Sequence, residues 1–372
     1  MKKINETAAG HARSNSNDRE RDNSLGEKNK TEKNKIDELI STFSLEEKVG
    51  QLLVVGFTGS EMNDSLRKFI AEGKFSGFIL FKGNIESVEG AKNLLKALRS
   101  LYPKERPPIL AIDEEGGRVT QINHLVSAAP AAATIGRTRN PRFAFFHARD
   151  TAQKLKWLGM NVVFAPVLDI NDEPSNPVIG DRAFGTDVDL VTSLGICAMK
   201  GFSDPGIVST VKHFPGHGSS KADSHVVLPV IDHSAERWYT FELVPFRTAI
   251  EAGVRMIMTA HIACPSLTGR ADLPATFSPE IMKRILREEL KFNGVLITDA
   301  MEMAAATDYM AAGAGPEEAI LAGCDVLLFA HGREPVHKAK KALLKALKEG
   351  RLTEARVDES LRRILALRAT LV

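Results

Sequence analysis

The sequence is poor in cysteine, has no long apolar run and carries no excess of one charge. Only three cysteines occur in 372 residues: Cys197, Cys264 and Cys324. An odd set, each inside an apolar segment, reads as reduced core thiols and not as a disulfide framework. That fits a reducing compartment, and a cytoplasmic location is expected. Lys and Arg number 49 against 47 Asp and Glu, a net charge of +2, so no broad positive field invites nucleic acid. No stretch approaches the ~20 apolar residues that a membrane span needs. The opening "MKKINETAAGHARSNSNDRERDNS" has charge but no apolar h-region, so no secretory signal is expected.

What is present is a chain with 43% hydrophobic residues, long enough to bury one large core. Residues 1–34 are mostly polar and charged. Such a stretch cannot bury enough surface to offset its ordering entropy, and a disordered tail is expected there, with the folded domain over 35–372. Ser44 followed by Glu47 in "STFSLEEKVGQ" is a capping-box signature that opens a helix.

Beyond it one pattern repeats. Short apolar runs occur at 51–57, 77–81, 108–113, 161–170, 206–214, 254–262, 294–300 and 324–330. Each is too short for a buried helix and rich in β-branched residues or Phe. Between them lie amphipathic, helix-like segments such as "ESVEGAKNLLKALRSL" and "REPVHKAKKALLKALKEG". Continuous apolar strands alternating with helices imply parallel strands covered on both faces. Eight of them match a single-domain α/β fold, the (β/α)8 TIM-like barrel, whose usual size is about 250 residues. An open doubly wound sheet is the competing architecture, but no G-x-G-x-x-G follows the first strand.

In such a barrel, chemistry sits at the C-terminal ends of the strands. The third run ends in Asp113, the fourth in Asp169, the fifth in Lys212 and His213, the sixth in His261 and the seventh in Asp299. Any one of these reads as a helix cap or a packed polar group; five on one rim predict a polar pocket. Asp299, alone at the end of "GVLITDA", suits a nucleophile, a base or a metal ligand. Glu302, one turn on, is expected to be exposed on the following helix.

The segment "KHFPGHGSSKADSH", residues 212–225, is dense in histidine and open to three readings. A metal site built on His213 and His217 requires a helix to bring both rings to one face, and Pro215, Gly216 and Gly218 oppose a helix. A polar loop whose histidines satisfy backbone groups explains His213 or His217; the glycines and proline then suggest a mobile, lid-like backbone. A proton-transfer reading rests on "DSH". Asp223 and His225 are two apart, so in an extended segment their side chains share a side. A carboxylate beside an imidazole fixes its tautomer and favours the protonated form, as a general acid needs.

The pattern "KHFPGHG" then "DSH", with "IDEEGGRV" upstream and "LITDAMEM" downstream, resembles glycoside hydrolase family 3. It is most similar to the family's single-domain β-N-acetylglucosaminidases, over about residues 36–370. The resemblance implies a TIM-like barrel and retaining hydrolysis through a covalent glycosyl-enzyme. It implies Asp299 as nucleophile, His225 as acid/base and Asp223 as its paired carboxylate. Asp113, Arg182 (in "GDRAFG"), Lys212 and His213 are implied to hold the terminal sugar. Gln121 stands where many relatives carry an arginine that touches the sugar. The implied substrate is a terminal β-linked N-acetylglucosamine on a cell-wall muropeptide fragment or a chitin oligosaccharide. No metal or organic cofactor is implied, and a monomer is expected. Glucosidase, xylosidase or phosphorylase activity within the family, a metal-dependent barrel hydrolase, and a non-catalytic sugar-binding protein are the competing functions.

Overall fold

The computed structural model describes residues 33–371. The chain divides into two compact units at Phe43 and Ser44. The described part of the first is a helix over 33–41. The tail expected to be disordered lies outside the described residues, except for Lys33 and Asn34, which open that helix instead. The second unit starts with the helix Leu45–Gln51 and the predicted capping box. Ser44 Oγ accepts from the Glu47 N–H at 3.2 Å, and Glu47 Oε2 accepts from the Ser44 N–H at 3.0 Å.

Eight parallel strands follow: β1 Leu53–Val55, β2 Gly77–Leu80, β3 Ile109–Ile112, β4 Val162–Val163, β5 Val208–Phe214, β6 Met256–Thr259, β7 Val295–Ala300 and β8 Val326–Phe329. They pair in chain order, and β1 closes on β8 through Leu53–Leu327, Val54–Leu328 and Val55–Phe329. This is the expected closed barrel, not the open sheet. Its strands are buried on both faces because helices cover the outside. The helix Val88–Ser100, for example, is capped by Ser87 and turns Ala91, Leu94, Leu95 and Leu98 inward.

Local departures from the ideal barrel matter for the site. The run 161–170 forms a strand only over Val162–Val163; further on, Val167 meets Lys212 of β5 in a single isolated parallel bridge. Asp169 therefore lies six residues beyond β4 and not at its end. His261 likewise lies just past β6. The registers of β5 on β6 and of β7 on β8 also shift, between Val211 and Phe214 and between Ile297 and Ala300. Such irregularities re-aim side chains at a strand end.

Of the three cysteines, Cys264 and Cys324 are buried as expected, but Cys197 is only half-buried, on the helix Val188–Ser203; all are free thiols.

Candidate active site

A cavity of about 480 Å3 opens at the C-terminal end of the barrel, lined by Asp113, Glu115, Arg182, Lys212, His213, Asp223, His225 and Asp299 among others. All seven site residues implied by the resemblance therefore meet in one place. Strict alternation would send Lys212 and His213 to opposite faces of β5. Both line the cavity, and the register shift at this point accounts for it.

The floor is an ion network. Lys212 Nζ bridges Asp113 Oδ1 and Glu115 Oε1, each at 2.6 Å. Arg182 grips Glu115 with two parallel bonds of 2.8 Å, from Nε and Nη2. Burial pushes the Glu115 carboxyl up, but Lys212 and Arg182 outweigh it and hold the pKa far below the usual carboxylate range. Burial by itself would lower Lys212; Asp113 and Glu115 raise it instead. Arg182 Nη2 also stands 3.2 Å from His213 Nε2. On the far side of that ring, Nδ1 donates to Asp169 Oδ2 at 2.6 Å, since a carboxylate can only accept. Each cation is thus fixed by a carboxylate before any ligand arrives.

Asp169 and His261, expected on the rim, sit behind the cavity wall. Asp169 is fully buried, and its Oδ1 accepts from the His217 N–H at 2.7 Å. His261 Nε2 donates to Ala300 O at 3.1 Å, bracing the end of β7. Asp299, at the cavity wall, forms no salt bridge among the described residues. Burial raises its pKa, yet His213, His261, the Ala300 N–H and Lys212 together bring it below the ordinary value. It stays ionised.

The histidine loop divides into two parts. Residues 214–218 are buried, and a Cβ at Gly218 would collide with the carbonyl of Ile170. The glycine–proline stretch is thus a packed turn and not the mobile lid expected: close approach of two backbones, not flexibility, demands the glycine. The Asn176 amide fastens this turn. Its Nδ2 donates to His217 O at 3.0 Å and Gly218 O at 2.9 Å, while its Oδ1 accepts from the Val178 and Ile179 N–H groups, both at 2.9 Å. The segment leading to Arg182 and the loop are tied by one side chain. His217 Nε2 lies 3.0 Å from Ser224 Oγ, joining the start of the loop to its end.

The outer part carries Asp223 and His225. They are adjacent as expected, but not in an extended segment. Asp223 Oδ1 accepts from both the backbone N–H and Nδ1 of His225, each at 2.8 Å, in an Asx-turn. The turn takes Nδ1 out of play and leaves Nε2 for a ligand. Burial raises Asp223, but its bonds to His225 dominate and hold it below the usual range.

Glu302 departs from expectation. It precedes the helix Ala304–Ala311, is half-buried and lines the cavity, with Oε1 accepting from the His331 N–H. Burial raises its pKa. Gln121 also lines the cavity; its Oε1 accepts from the Lys82 N–H at 3.0 Å. Glu115 and Asn176 were not foreseen. The signal for Glu115 was the pair of cations, Lys212 and Arg182, in apolar surroundings, which requires carboxylates nearby. Its neighbour Glu114 turns the other way, to Thr120 Oγ1 and the Gln121 N–H. Among the described residues, no three His, Cys, Asp or Glu side chains are grouped to hold a metal ion.

The family described as "Glycosyl hydrolase family 3 N terminal domain" matches residues 44–367. The chain belongs to glycosyl hydrolase family 3. Among curated relatives, "Beta-hexosaminidase A" of Pseudoalteromonas piscicida is 34% identical over 330 residues, 82% of this chain and 55% of that protein. "Beta-hexosaminidase" of Idiomarina loihiensis is 34% identical over 288 residues, 76% of this chain and 84% of that one. A solved family 3 β-N-acetylglucosaminidase from Paenibacillus sp. superposes with a TM-score of 0.85 at 40% identity, over 89% of this chain and 63% of that one. The chain thus spans little more than half of the first relative and under two thirds of the solved structure.

Proposed function

We propose that this family 3 chain is a retaining exo-β-N-acetylglucosaminidase. The observation that carries the proposal is the meeting, in one cavity, of an ionised, unpaired Asp299 and the Asp223–His225 pair. The names of the relatives supply the sugar. In the first step the Asp299 carboxylate attacks C1 of a terminal β-linked N-acetylglucosamine. The C1–O bond breaks, and Nε2 of protonated His225 gives its proton to the departing oxygen. In the second step neutral His225 takes a proton from water, whose oxygen displaces Asp299 from C1. Histidine suits the place beside an ionised carboxylate: a second carboxylate would raise the pKa of both, whereas an imidazolium helps keep Asp299 ionised. Asp113, Arg182, Lys212 and His213 hold the sugar hydroxyls from a prearranged network. Muropeptide fragments and chitin oligosaccharides are the substrate classes, and the free cysteines support a reducing, cytoplasmic setting.

Mass spectrometry of protein quenched during turnover of an activated aryl β-glycoside tests the core step. A single sugar ester on the peptide containing Asp299 is expected. An unmodified peptide, or an ester elsewhere, would sink the assignment. Aryl glycosides of N-acetylglucosamine, glucose and xylose, assayed side by side with and without phosphate, separate the hydrolase from the glucosidase, xylosidase and phosphorylase readings.

A further inference from the structure

A second hollow lies at the other end of the barrel. The helix Val88–Ser100 places Lys92, Lys96 and Arg99 at intervals of four and three residues, hence on one face. With Lys156, near the end of the helix Pro141–Leu158, they line a space of about 390 Å3. Its floor includes residues 159–161 and 206–207, the segments leading into β4 and β5. That is the N-terminal side, opposite the catalytic cavity.

Among the described residues no carboxylate lines the hollow, and none of the four cations forms a salt bridge. Arg99 Nη2 donates to Gly159 O at 2.8 Å, and Lys156 Nζ donates to Pro205 O at 2.6 Å. Lys92 Nζ stands 3.7 Å from the ring centroid of the exposed Trp157. Cations elsewhere on this chain's helices are treated differently: Lys154 pairs with Asp150, Lys338 with Glu334 and Arg363 with Glu359, each four residues away. Like charges stacked on a helix face repel one another, and among the described residues no ion pair offsets that repulsion. Burial also lowers the pKa of the half-buried Arg99, with no acid acting against it. Beneath the cations the walls are apolar, with Leu95, Leu158, Met160 and Ile207.

We propose that this hollow is a second binding site, for a small multivalent anion of the phosphate-ester or diphosphate class. The volume is that of a small-molecule site. The planar guanidinium of Arg99 offers paired donors to phosphate oxygens, and the lysines add point charges around them. The apolar walls suit an organic body attached to the anion.

Isothermal titration of the full chain with inorganic pyrophosphate, at fixed ionic strength, tests the site. Saturable binding of one anion per chain is expected, at least about tenfold weaker in a Lys96→Glu/Lys156→Glu double variant, as loss of an ion contact of about 1.4 kcal/mol would give. Both side chains are exposed, so circular dichroism and basal glycosidase activity should not change. No saturable binding would overturn the proposal. So would equal affinity in the double variant, which would place the anion elsewhere. Retention on phosphatidylglycerol vesicles without binding of free pyrophosphate would also overturn it, in favour of a lipid surface.

Discussion

His225 gives Nδ1 to Asp223 and keeps Nε2 for the substrate, so its value as an acid depends on how much help the leaving group needs. Replacing it with Ala should slow glycosides with poor leaving groups by about 100-fold or more and activated aryl glycosides far less. Equal losses on both, in steady-state kinetics, would argue against general acid catalysis. Asp299→Ala should leave no measurable turnover while the fold persists, because the other carboxylates lining the cavity are held by Lys212, Arg182, His225 or, for Glu302, the His331 N–H; activity assays with circular dichroism check both halves. His217 has a different task. Burial lowers its pKa to about 4 from 6.5, so it is neutral at neutral pH and bonds to Ser224. The unfolded chain protonates this ring first as pH falls. The stability it contributes is fully present above pH 6.5 and is lost between there and about 4. His217→Gln should therefore flatten the fall in thermal stability across that window, as measured by melting at a series of pH values. An unchanged slope would reject the assignment.

At the scale of elements, the site depends on two loops fastened to each other. Asn176 makes four hydrogen bonds, two to the histidine turn and two to the segment before Arg182. Asn176→Ala leaves buried carbonyls and N–H groups unpaired, at a cost of about 1–3 kcal/mol. Because the turn leads on to Asp223 and His225, kcat should fall more than the affinity for substrate. Denaturant unfolding and kinetics, read together, check this: a stability loss with kcat unchanged would confine Asn176 to folding. The sequence did not show that Asn176 would meet the histidine turn some forty residues away. It showed Lys212, His213 and the Asp223–His225 spacing. It did not show that a ladder irregularity turns Lys212 and His213 to the same side, or that Asp223 reaches His225 through a turn, because both depend on strand pairing and on local hydrogen bonds.

At the scale of the whole barrel, Asp325 is a junction. Just before β8 and fully buried, it binds Arg287 at 2.6 Å, Arg363 at 3.0 Å, Ser360 Oγ at 2.8 Å and the Leu296 N–H at 3.0 Å. One carboxylate thus ties β7, β8, the helix Glu280–Glu289 and the closing helix Glu354–Ala369 together. Asp325→Ala should lower stability by about 3–5 kcal/mol, since it leaves the largely buried Arg287 without its carboxylate and Arg363 with Glu359 alone. A drop in melting temperature of several degrees checks it, and a variant as stable as the parent would refute it.

By itself the sequence determined the repeating β/α pattern, and with it the closed barrel, because the hydrophobic period of each segment is a local property of the chain. It also determined which strand ends carry ionisable groups, and so where chemistry gathers. Tertiary structure alone decided how those groups share the work. Asp169 and His261 went behind the wall, and Glu115 went to the centre of the ion network. Lys212 and Arg182 were neutralised by carboxylates distant in sequence, and Asp299 was left ionised without a salt bridge. The reason is that charge pairing and desolvation act through space, over a few ångströms, between residues up to about a hundred or more positions apart in the chain.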